Sequence, residues 1–208
     1  MTITTGLHCR AACDNELLFD QHVGNVCKSA YYHIRALRHI RKCISTDNAK
    51  SIAASMVSPR RCNALLYETS KSNIARLQRV QNTLGQVVTS TRRRDNITPV
   101  LADLHWLPIT ARIEYKIALL TCKTLTTQQP SYLYELLHLY RPARQLRSTE
   151  HNRLDDHVVK TVFASRAFSH AAPTIWNNLP TDLTDELSSI AVFKRHLKTF
   201  LYTQSFSC

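Results

Sequence analysis

From Val23 to Ile44 apolar side chains return at three- and four-residue steps, through Val23, Cys27, Ala30, Ile34, Leu37, Ile40 and Ile44. A period near that of the α-helix predicts one amphipathic helix with a single buried face. Asp20 is placed to cap it, and the pattern carries it to about Cys43. Lys28, Arg35, Arg38 and Lys42 are expected on roughly the opposite side, where a solvated face is the ordinary reading. A second helix is expected after Ser45, burying Ala49, Ile52, Ala53, Met56 and Val57 and stopping before Pro59. After the short apolar piece Ala64–Tyr67, a third should run from about Ser72 to Thr89 with Ile74, Leu77, Val80, Leu84 and Val87 inward. Lys71, Arg76 and Arg79 point elsewhere, and Gly85 weakens this helix by about 1 kcal/mol relative to alanine.

The same periodicity continues downstream. Thr98-Pro99 reads as a cap followed by proline at the first helical position. Trp106-Leu107-Pro108 turns the chain into a longer helix faced by Ile109, Ile113, Ile117, Leu120 and Leu125, ending before Gln128-Gln129-Pro130. Ser131 opens a short helix through Leu137, and Tyr140–Thr149 reads as an exposed basic loop. Two last helices are expected over 166–178 and 189–202, the second turning Phe193, Leu197, Phe200 and Leu201 inward. Val158–Phe163 is the one stretch that could form a short strand. The predicted class is therefore mainly α, with at most one or two short strands.

Composition agrees with this. Only 3 of 208 residues are glycine, well under the usual share of about 7%, so tight turns are few and no phosphate-cradling loop exists. No apolar run approaches the roughly 20 residues of a membrane span. The start, Met1–Gly6, lacks the basic-then-apolar layout of a secretory signal. Seven cysteines, odd in number and without framework spacing, fit reduced thiols inside the cell, in nucleus or cytoplasm.

Charge changes the picture more than composition does. The formal net charge is +12. Between Val23 and Arg94 there are 14 Lys or Arg residues and two acids, Asp47 and Glu68, a local balance of +12; the rest of the chain holds 13 of each and cancels. Such a block exceeds what solubility needs and suits neutralisation of phosphates, which asks only for cations on one surface. The candidate nucleic-acid contacts are Lys28, Arg35, Arg38, Lys42, Lys71, Arg76, Arg79 and the run Arg92-Arg93-Arg94, which also suits a helix carboxyl end. Tyr31, Tyr32 and Tyr67 could stack on bases or fill the core.

Catalytic patterns are weak beside this. Asp155-Asp156 is an adjacent acid pair of the kind that holds two metal ions, but Arg153 and Leu154 precede it and no strand leads in. Cys9, Cys13, His22 and Cys27 superficially offer four zinc ligands, yet their gaps do not fit and Cys27 belongs to an apolar face. No nucleophile–base pair is marked. The expectation is no catalytic residue, no metal and no cofactor.

One stretch is distinctive: Thr98-Pro99-Val100-Leu101-Ala102-Asp103-Leu104-His105-Trp106-Leu107-Pro108-Ile109, followed by Arg112-Ile113-Glu114-Tyr115-Lys116. With Gln129-Pro130-Ser131-Tyr132-Leu133, Arg166-Ala167-Phe168-Ser169-His170-Ala171-Ala172-Pro173 and Ile175-Trp176-Asn177-Asn178-Leu179-Pro180, it resembles the region downstream of the polymerase domain in reverse transcriptases of LINE-type, non-LTR retrotransposons. Phe193-Lys194-Arg195-His196-Leu197-Lys198, Cys62-Asn63-Ala64-Leu65-Leu66-Tyr67 and Arg76-Leu77-Gln78-Arg79-Val80-Gln81-Asn82 extend the resemblance to nearly the whole chain, about 14–206. It departs at Val57–Cys62, two residues shorter than the family's run, at Glu68-Thr69-Ser70, where the family commonly has Gly-Leu-Pro, and at Ala164, where glycine is usual.

The resemblance implies three regions: 1–22 following the polymerase palm, 23–94 as the basic helical thumb, and 95–208 as a helical carboxyl-terminal region. It implies a non-catalytic fragment of an RNA-directed DNA polymerase, since fingers, palm and metal-binding aspartates would lie upstream. The expected partners are RNA or DNA, bound without marked sequence preference, with no membrane and no small-molecule substrate. Two alternatives stand beside it. One is a helical interaction module that self-associates or meets other element proteins through the apolar faces of 109–202. The other is a decayed element copy without selected function.

Overall fold

The computed structural model describes residues 19–57, 66–140, 152–185 and 189–206. The chain is mainly helical, as the periodicity predicts. Helix α1 (Asp20–Ile40) passes through a 3-10 turn (Arg41–Cys43) into α2 (Thr46–Val57), and α3 (Lys71–Thr89) and α4 (Ile97–Asp103) follow. Then come α5 (Ile109–Thr127), the short α6 (Ser131–Tyr134) and α7 (Val162–Ser165), α8 (Phe168–Asn177), α9 (Thr181–Asp185) and α10 (Ile190–Phe206). Among the described residues there is no strand, only an isolated antiparallel bridge between Leu139 and Leu154. Val158–Phe163 is not one: α7 takes its end, and Val158 is 95% exposed.

Helices α1 and α3 run parallel. Asp20 Oδ1 accepts from Asn73 Nδ2 at 2.6 Å near their starts, and Arg41 Nε donates to Val88 O at 2.8 Å near their ends. Two apolar cores result. The larger joins Val23, Cys27 and Leu77 to Ile113, Ile117, Trp176, Phe193 and Leu197; the smaller joins Ile34, Leu37, Ala49, Ala53, Leu84 and Val88 to Leu101 and Trp106. Each draws on residues from both sides of position 94. Trp176 is fully buried, stacked on Phe193, and donates from Nε1 to Asn152 O at 2.8 Å. Asn177 fixes the same segment, donating to Leu154 O and accepting from Leu154 N.

Several helix ends differ from expectation for local reasons. Asp20 does not cap α1. It is the first helical residue, preceded by Phe19 in the left-handed region, and its carboxylate is taken by Asn73. Helix α4 begins before Thr98: Asn96 is the cap, its side chain accepting from Thr98 N at 3.0 Å. Pro99 then falls within the first turn, where a missing N–H costs nothing. Helix α6 stops at Tyr134 rather than Leu137, and the helix expected over 166–178 begins only at Phe168 as α8, after the extended Ala167. All of the expected basic loop beyond Tyr140, like Cys9, Cys13 and Ala64-Leu65, lies outside the described residues.

Candidate nucleic-acid interface

The charged stripe of α1 does not lie opposite its buried face. At about 100° per residue, Lys28, Tyr31, Arg35, Arg38 and Lys42 centre roughly a quarter-turn from the face of Val23, Ile34 and Leu37. A quarter-turn brings the stripe beside α3. There, Tyr31, Ile34, Arg35, Arg38, Arg41 and Lys42 form one wall of a groove of about 600 Å³, and Thr83, Gln86, Val87, Ser90, Thr91 and Arg93 form the other. Among the described residues no acid lines it.

Arg35, Arg38, Lys42 and Arg93 are exposed, and no ion pair or side-chain hydrogen bond engages their cationic heads among the described residues. Arg79 occupies the α3 row one turn before Thr83, and Lys28 the α1 row before Tyr31; both are exposed and prolong the two walls. The α1 row from Lys28 to Lys42 covers roughly 21 Å, comparable to six phosphate spacings along one strand of a duplex. Tyr31, 38% exposed, lines the groove, and Tyr32, 72% exposed, lies beyond it against His33. Tyr67 packs against the larger core instead.

The concentration of positive charge has a structural support. Because α1 and α3 are parallel, both carboxyl ends, with their partial negative charge, meet at this end of the molecule. Arg38, Arg41 and Lys42 close α1, and Arg92, Arg93 and Arg94 follow α3 in an exposed turn that Asp95 ties by accepting from Arg92 N at 3.1 Å. Like charges at four-residue steps repel by a few tenths of a kcal/mol per pair, a cost the two dipole ends partly offset.

Not every predicted contact joins the groove. Arg76 is half-buried, its guanidinium on Asn73 Oδ1 and close over Gly24, so it packs α3 against α1. Burial pushes the Cys27 thiol up in pKa, and the Arg76 and Arg79 charges pull it back. Lys71 stands at the amino end of α3 on the rim of a separate apolar hollow. Arg41 was absent from the expected set. It donates to Val88 O, to Ile44 O at 3.2 Å and to Thr46 Oγ1 at 3.2 Å, holding the groove closed at its base. Its place in sequence announces this: it continues the buried row Ile34–Leu37 by one turn.

The acid pair is engaged by neighbours. Asp155 lies 3.6 Å from His157 Nε2, and Asp156 lies 3.0 Å from His170 Nδ1 and accepts from Thr174. Among the described residues no three His, Cys, Asp or Glu converge as metal ligands, and no helix is long and apolar enough to cross a membrane. No protein-family model, curated protein or solved structure matches the chain.

Proposed function

We propose that this chain is the thumb and post-thumb part of a LINE-type reverse transcriptase, and that it grips backbone phosphates of an RNA- or DNA-containing duplex in the α1–α3 groove. The observation that carries the reading is the convergence of Arg35 and Arg38 of α1, Lys42 of the 3-10 turn and Arg93 of the turn after α3 on one groove that no acid among the described residues lines. Its own contribution is positioning rather than chemistry, in a nuclear or cytoplasmic setting. Glu68 adds support to the family reading: its φ is 53°, the left-handed region that glycine favours, at the position where the resembled family carries glycine.

The test is a fluorescence-anisotropy titration of a 20-base-pair RNA–DNA hybrid across a salt series. Micromolar-class affinity is expected, with log K falling against log salt at a slope near −4, as about 0.9 per phosphate contact requires for four to five contacts. Replacing Arg35 and Arg38 together by glutamine should flatten the slope by about 2. Absence of binding at low salt refutes the proposal.

A second reading rests on a different surface. Leu66, Ile74, Leu101, Ile113 and Phe206 line an apolar groove of about 710 Å³, which suits a helical interaction module. A stable oligomer by light scattering, lost on Phe206→Glu, would favour it.

A further inference from the structure

The +12 of the thumb-like stretch conceals a second basic surface in the half of the chain whose charges cancel. Helix α10 contains no acidic residue, and on its outer row Lys194 and Lys198 stand four apart. Helix α5 packs against α10 and presents Arg112 and Lys116, also four apart. Both pairs line one hollow of about 280 Å³, together with His105, Leu107 and Tyr115. Among the described residues no acid lines it; Glu114, the one acid of α5, faces the hollows on other sides of that helix.

Like charges at four-residue steps are destabilising, and here Lys194 and Lys198 make such a pair with Lys116 lining the same hollow. Helix dipoles do not relieve them: none of the three lysines lies in the last turn of its helix, where a cation is favoured. Arg112 is largely withdrawn from water, and burial lowers its pKa. A polyanion seated in the hollow relieves the mutual repulsion across it. The surface also lies away from the α1–α3 groove. The Leu107 carbonyl is bonded to Gln81, which points to the side of α3 opposite the Arg79–Thr83–Gln86 row.

We propose that the α5–α10 hollow is a second, independent phosphate-binding site, taking phosphodiesters of a nucleic-acid strand on Lys116, Lys194 and Lys198. The site stands whether or not the α1–α3 groove binds a duplex. An open hollow lined by lysines of two helices, with His105 and Tyr115 beside them, suits a passing strand better than a single enclosed ion.

The experiment uses the full chain, a Lys194→Gln/Lys198→Gln variant, the Arg35→Gln/Arg38→Gln variant and the four-fold combination, each titrated with a 30-nucleotide single strand and the RNA–DNA hybrid over a salt series. Loss of two contacts should weaken single-strand binding at least tenfold at low salt and flatten the salt slope by about 1.5. The losses in the two double variants should add in the four-fold variant. Thermal melts keep a folding failure distinguishable: without ligand, K194Q/K198Q should melt no lower than the parent. Unchanged single-strand affinity in K194Q/K198Q overturns this site while leaving the groove to be judged on R35Q/R38Q. Binding of phosphatidylserine vesicles through Lys194 and Lys198, with no binding of the strand, overturns the nucleic-acid assignment.

Discussion

Gln81 donates from Nε2 to the carbonyl of Leu107 at 2.9 Å, in an interior from which water is excluded at both residues. Beside it Gln78 Oε1 accepts from Ile109 N at 2.9 Å. Two glutamines of α3 thus hold the entrance of α5 and orient everything that follows. Gln81→Ala leaves the Leu107 carbonyl without its donor and opens a cavity, so a loss of about 3 kcal/mol is expected. Chemical denaturation followed by circular dichroism measures it; a loss below about 1 kcal/mol would show that the contact is dispensable.

Gly85 lies inside α3, where glycine costs about 1 kcal/mol relative to alanine. A Cβ there would meet Leu101 at 3.6 Å and Ile97 and Leu104 at 3.7 Å, ordinary contact distances. Gly85→Ala should therefore stabilise the fold by about 1 kcal/mol. A lowered melting temperature would mean that α4 packs closer than this spacing allows.

Two arginines six residues apart should behave oppositely. Arg41 spends its guanidinium on Val88 O, Ile44 O and Thr46 Oγ1, so Arg41→Ala should cost about 2 kcal/mol of stability. Arg35 is exposed and engages no side-chain partner among the described residues. Arg35→Ala should change stability by less than about 0.5 kcal/mol while weakening nucleic-acid binding. Melting and titration of the same two variants separate the roles, and equal melting temperatures would contradict this division.

Burial raises the Glu114 pKa above its ordinary 4.5. The folded state then holds the proton more tightly than the unfolded chain, so stability falls as pH rises from 4.5 through the folded value. Glu114→Gln removes that loss. The variant should melt above the parent at neutral pH, and the gap should close as pH falls below 4.5. A gap that persists unchanged in acid would assign the effect to packing instead.

Much of this architecture is legible in the spacing of apolar residues. Val23, Cys27, Ile34 and Leu37 on α1 and Ile109, Ile113 and Ile117 on α5 are buried where the helical period puts them. The polar members of the same faces are not legible: Asn73, Gln81 and Thr121 are buried as well, because Asp20 accepts from the Asn73 amide, the Leu107 carbonyl from Gln81 Nε2 and the Ile117 carbonyl from the Thr121 hydroxyl. Helix ends follow the same logic. Asp20 and Thr98 carry capping chemistry, but Asn73 claims the first and Asn96 precedes the second. The groove is half-legible. Its cations come from counting charge, whereas the parallel course of α1 and α3, which decides that Arg93 joins it and Lys71 does not, is a tertiary fact. The α5–α10 hollow is invisible to such counting, since acids elsewhere in 95–208 cancel its charge.

The chain contains two tryptophans, and each core holds one: Trp176 the larger, Trp106 the smaller. Replacing either by phenylalanine leaves a single emitter whose quantum yield and wavelength report on one core alone. Superimposable unfolding curves from the two single-tryptophan chains would make the thumb-like stretch and the carboxyl-terminal helices one cooperative unit. Separated curves would give each core its own melting transition, readable without any attached dye.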